Sequence, residues 1–218
     1  MDWDERAESA AGRYRDGESR LGEAADADAR QRQLTRMGNA AWAAGLSHLM
    51  AGRADDAREW LGRAVDRYRE SFADAPPGSW GRPIGAMKAR LLAGDDGGAA
   101  EAARWALDAG AATAESPIGR YAAALACSIL GDWDDARVHA DAVRVRDDFP
   151  AAVGDALAFV AAEDVVGYVD AVERVLESFE QRDEYLEDVP VADTVLVLQA
   201  LARTRGFEAE LESALLPG

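Results

Sequence analysis

The chain has 218 residues, of which 49% are hydrophobic and 30% charged, enough apolar side chain to fold around a sizeable core. Its 41 acids against 24 bases give a net charge of −17, which excludes the basic footprint that nucleic-acid binding needs. No run approaches the roughly 18 apolar residues of a membrane span, and a single cysteine excludes an internal disulfide framework.

Alanine carries much of the apolar share and aromatics make up only 7%. Small side chains suit close helix–helix packing better than a sheet sandwich. Lys88 is the only lysine; every other base is arginine. This acid-rich, lysine-poor composition fits a protein of a halophilic, salt-filled cytoplasm, where a Debye length of about 3 Å at 1 M screens the self-repulsion. An acidic face for a basic partner is the competing reading. The opening "MDWDERAESA" is too polar for a signal peptide, so a cytoplasmic location is expected.

In chain order, residues 2–22 read as a helix, with "EAADADA" as a loose acidic connection. The first hairpin follows: "GNAAWAAGLSHLMA", a turn at Gly52, then "EWLGRAVDRYRESF", whose Trp60, Leu61, Ala64, Val65 and Tyr68 share one face. Paired prolines in "APPGSWGRP" separate it from the next unit. The second hairpin, "IGAMKARLLAGDDGGAAEAARWALDAG", turns at Gly94. The third repeats the first turn almost letter for letter, "GDWDDAR" for "GRADDAR", with Gly131 in place of Gly52. A glycine ends one helix in the left-handed conformation and aspartates start the next. A fourth hairpin turns near Glu163 and Asp164, and a fifth, "VADTVLVLQALARTRGFEAELESALL", at Gly206. The period is uneven, so these are degenerate repeats.

The units resemble tetratricopeptide (TPR) repeats, in which a 34-residue helix–turn–helix carries small residues at the helix crossing and a glycine at the turn. Gly45, Gly52, Ala57 and Ala64 match one unit; Ala124, Gly131, Trp133 and Ala136 match another. The tryptophan and tyrosine expected early in each first helix are displaced or absent, and Arg69 and Asp148 stand at the closing proline position. The last third, from "DALAFVAAEDVVGYVDAVERVLESFEQ" to the closing "LLP", is similar to helical-repeat immunity proteins of polymorphic toxin systems. The expected fold is all-α, about five TPR-like hairpins plus an N-terminal helix in one domain over 1–218, as a right-handed solenoid or a compact curved bundle.

Catalytic motifs are missing. His48 and His139 have no ligand spacing, and His48 reads as a satisfied core residue. Cys127, in "AALACSIL", reads as a buried thiol. "GDWDDA" lacks the glycine and glutamate of a calcium loop, "GDDGGAA" fits no phosphate-binding pattern, and "GSWG" is no nucleophile elbow. No cofactor or metal is expected. The acidic run "ESFEQRDEYLEDVP" reads as a solvated helix end and loop, or as a site for a basic partner.

The leading function is a non-enzymatic interaction module for a protein or peptide. The TPR resemblance implies a concave groove lined by Asn39, Trp42 and Leu46, then Lys88, then Tyr121, Leu125 and Ser128, with Trp42, Lys88 and Tyr121 partly exposed on one face. Trp80, in a loop of glycine, serine and proline, is a further candidate contact. The alternatives are an immunity protein that neutralises a toxin, and an enzyme with an unsignposted acidic site.

Overall fold

In the computed structural model, which describes residues 2–218, five turns with one hydrogen-bond pattern divide the chain. Gly52, Gly94, Gly131 and Gly206 have φ between 67° and 84°, and Glu163 has φ 54°. In each turn the following N–H reaches back into the last helical turn: Arg53 to His48 (2.9 Å), Asp95 to Arg90 (3.0 Å), Asp132 to Cys127 (2.9 Å), Asp164 to Phe159 (3.0 Å) and Phe207 to Ala202 (3.2 Å). This Schellman arrangement satisfies carbonyls that a helix end leaves free. A Cβ in that conformation costs about 1 kcal/mol. Glu163 carries the cost, and its carboxylate lies 2.6 Å from Arg205.

Among the described residues there are ten α-helices and no strand. Helix α1 (Trp3–Leu21) precedes four helix pairs: α2 (Ala27–Met50) with α3 (Ala54–Phe72), α4 (Gly81–Leu92) with α5 (Asp96–Asp108), α6 (Pro117–Leu130) with α7 (Trp133–Arg144), and α8 (Ala151–Ala162) with α9 (Val165–Glu180). Helix α10 (Asp193–Thr204) follows a turn at Leu186–Asp188. Several helix starts are capped by side chains. Asp2 accepts from the N–H of Asp4 and Glu5, Asp26 from Ala29, Asp95 from Gly98, Ser116 from Gly119 and Asp164 from Gly167. The acids there also suit the positive end of the helix dipole.

The fifth hairpin departs from expectation: residues 207–218 form no helix. After three of the other turns an aspartate stands at the next helix start, whereas Phe207 stands here and packs on Tyr168, centroids 5.4 Å apart. The backbone of Ala209 is then captured by the Gln199 side chain, which donates to its carbonyl (2.6 Å) and accepts from its N–H (3.0 Å). Further on, the N–H of Ala192 bonds the Leu215 carbonyl at 2.9 Å, holding the tail against the start of α10.

Consecutive helices from α1 to α9 pack on one another, and α10 packs on α4, α8 and α9. The last helix therefore lies back on the first helices of earlier pairs. One connected apolar cluster runs from Ala10 to Ala209, built largely of alanine with Met37, Leu61, Met87, Leu125, Leu157 and Leu198 among its larger members. Among the described residues, no helix is long and apolar enough to cross a membrane.

Candidate functional site

Helices α2, α4 and α6 bring Trp42, Lys88 and Tyr121 close together. The Lys88 ammonium lies 5.7 Å from the Trp42 ring centroid, in cation–π range. It also donates to the Asp193 carboxylate and, at 3.1 Å, to the Thr194 hydroxyl, both at the start of α10. The expected partial exposure is not what the structure has. Trp42, Tyr121 and Lys88 are 5%, 7% and 9% exposed: Asp193 and Thr194 at the start of α10 close over Lys88, Leu186 lies by Trp42, and Phe149 packs on Tyr121 with ring centroids 5.3 Å apart.

Burial by itself would lower the Lys88 pKa, but the Asp193 charge beside it, with Tyr121 and the hydrogen bond to Asp193, raises it above the usual lysine value. Burial pushes the Tyr121 hydroxyl up as well.

The other groove candidates divide. Asn39 is half-buried and its side-chain oxygen accepts from the Tyr68 hydroxyl at 3.0 Å. Leu46, Leu125 and Ser128 are buried among the helices, and the Ser128 hydroxyl donates to the Ala124 carbonyl at 2.8 Å. Trp80 is buried too. It closes the start of α4 and its indole lies where a Cβ on Gly119 would come within 2.8 Å, so it is a packing residue between α4 and α6.

Beside the ion pair lies a cavity of about 320 Å³ lined by Asn39, Trp42, Tyr68, Arg82, Lys88 and Leu186, among others. Its shape depends on two glycines. The Tyr68 ring is held between Gly38 of α2 and Gly85 of α4, and a Cβ on either would stand 2.7 Å from a ring carbon. The Arg82 guanidinium is held by neutral oxygens: Nε donates to the Ser71 hydroxyl (2.9 Å), and Nη2 to Thr35 (3.0 Å) and to Gln31. Burial lowers its pKa, yet a guanidinium stays charged at any physiological pH.

Residues 181–192 form a strap across this face. The segment is exposed as far as Glu184, and the Tyr185 hydroxyl then donates to the Phe179 carbonyl at 2.6 Å. Leu186 reaches the cavity, and the Leu186–Asp188 turn lies against α2. Arg13 of α1 donates through Nε to the Glu187 carboxylate at 3.1 Å and through Nη2 to the Glu187 carbonyl at 3.4 Å. Arg6 donates to the Asp188 carbonyl. Beyond the turn, Val189, Val191 and Ala192 are buried. Glu187 and Asp188 have φ of 56° and 58°, and two successive side-chain-bearing residues in that region cost about 1–3 kcal/mol each.

Sequence reasoning missed the cationic side of this site, Arg6, Arg13 and Arg82. A signal for the first two was present: seven positions apart, they share a face of α1. The acidic run was noticed, but only Glu187 turns inward; Asp183 and Glu184 stay exposed.

The remaining singled-out residues are structural. Burial pushes the Cys127 thiol up to about 11, far from a thiolate nucleophile. His48 accepts from the Arg53 Nε at 2.9 Å and braces the first turn. Burial, with Arg120 nearby, holds the His139 pKa down.

No protein-family model, curated protein or solved structure matches this chain.

Proposed function

We propose that the chain is a TPR-like helical-repeat protein acting as a non-enzymatic interaction module, which receives a protein or peptide segment across the face formed by α2, α4 and α6. One observation carries this reading: an irregular polypeptide segment, the strap, already lies on that face, held by side chains of α1 and α2 and by the cavity at Trp42 and Tyr68. The repeated Schellman turns and the buried alanines at the crossings (Ala57, Ala64, Ala124, Ala136) support the repeat assignment. The surface supports the salt-rich setting. Its one lysine is buried in an ion pair, so the exposed bases are arginines amid an excess of acids.

Site-specific photo-crosslinking tests the reading. A benzophenone side chain is placed at Leu186, beside the groove, and separately at Val138, an exposed residue of α7. In extracts of the native cells, a protein that crosslinks from Leu186 alone, and that binds the full chain again when purified, is the expected result. Adducts from Val138 only, or from neither position, would overturn it.

A further inference from the structure

The strap is a sample of what its docking site accepts. Leu186 stands at the mouth of the cavity walled by Trp42 and Tyr68. The neighbouring Glu187 places its carboxylate on Arg13, and Arg6 takes the next carbonyl. Apolar pocket and cations therefore stand side by side, in the spacing of one aliphatic residue followed by one acid. Arg13 is solvent-accessible, with its side chain 42% exposed, and Arg6 is half-buried beside it; on a chain of net charge −17 they attract an acidic segment that the rest of the surface repels.

The strap fits with a flaw. It reaches both sites only by holding Glu187 and Asp188 in the left-handed region, and Leu186 is still 58% exposed. A segment free of that constraint fits the same pocket and cations with a relaxed backbone.

We propose that the strap is a displaceable occupant, and that the site it covers takes an acidic peptide segment of a partner protein containing an aliphatic residue directly followed by Glu or Asp. This rests on the interaction-module reading and names the partner's chemistry. Binding is then a competition, and the measured affinity is reduced by the fraction of chains whose strap is closed.

The probe is a labelled synthetic peptide of the strap sequence, QRDEYLEDVPVAD, titrated by fluorescence anisotropy against the full chain. A Leu186→Ser/Glu187→Gln chain, with its own strap loosened, should bind the peptide about tenfold more tightly than the wild type. The same peptide carrying those two changes should not bind. Equal affinity for wild-type and loosened chains, or equal binding of both peptides, would overturn the proposal. A second variant does not depend on the loosened chain folding well. Asp188→Gly relieves the backbone without removing a side-chain contact, so hydrogen exchange at the Asp188 and Val189 amides, bonded to the Tyr185 and Leu186 carbonyls, should slow. Unchanged or faster exchange also overturns it. A failure here with Leu186 crosslinking intact removes the strap-like partner alone; loss of the crosslinks removes the interaction reading itself.

Discussion

The Lys88 ammonium and the Asp193 carboxylate, 105 positions apart in sequence, form a buried ion pair that ties α4 to the first turn of α10. Removing one member leaves the other buried without its partner, which costs about 3–5 kcal/mol. Lys88→Met should therefore lower the unfolding free energy by about that much in urea titrations. Lys88→Met/Asp193→Leu should return to within about 1 kcal/mol of the wild type or exceed it. A double variant as unstable as the single one would show that the pair does not act as a unit.

Alkaline pH should destabilise the protein. Tyr68, Tyr121 and Tyr168 hold their protons more tightly than free tyrosine because they are buried, and Lys88 does so because Asp193 outweighs its burial. All four folded pKa values lie above the ordinary 10.0 for tyrosine and 10.5 for lysine. Their contribution is whole below those unfolded values and is lost as pH rises through the folded ones, since the unfolded chain releases its protons first. Urea midpoints should hold steady up to about pH 9 and fall steeply above about pH 10. A flat profile up to about pH 11 would contradict the burial of these groups.

Gln199 holds the tail. Its amide satisfies the N–H and carbonyl of Ala209 and accepts from the Tyr168 hydroxyl at 2.7 Å, all of it buried. Gln199→Leu leaves three polar groups without partners, at about 1–3 kcal/mol each where they stay buried. The expected outcome is release of the tail: rapid limited proteolysis after residue 207 with helix content by circular dichroism unchanged. Equal protease resistance in variant and wild type would show that the tail is held by its apolar contacts.

Self-repulsion of the −17 surface should make stability depend on salt. Thermal melts by circular dichroism should have a clearly higher midpoint in about 2 M KCl than in about 0.1 M, where the Debye length is near 10 Å. Equal midpoints would remove the salt-adaptation reading of the composition.

The local features were legible in the sequence. Gly52, Gly94, Gly131 and Gly206 sit at the turns, as helix-period segments broken by glycine imply, and even Glu163 marks its turn. The TPR resemblance grouped Trp42, Lys88 and Tyr121; Lys88 does lie beside both rings, but buried where the resemblance had them partly exposed. Two kinds of feature were not legible. The tail reads as a helix by its own pattern, and it is the Gln199 amide and the Phe207–Tyr168 contact, both set by tertiary packing, that divert it. The burial of Lys88 depends on a helix 105 positions further along the chain. Nothing in the local pattern around Lys88 announces that Asp193 will cover it.

The central claim is that the face at Trp42 and Tyr68 holds a polypeptide segment, at present the chain's own. Intramolecular photo-crosslinking of the isolated protein from a benzophenone at Leu186, mapped by mass spectrometry, tests it most directly. The account predicts adducts on the cavity walls, at or near Asn39, Trp42, Tyr68 and Ile84, which diminish as the free strap peptide is added. Adducts scattered over other parts of the chain, or none on these helices, would contradict it.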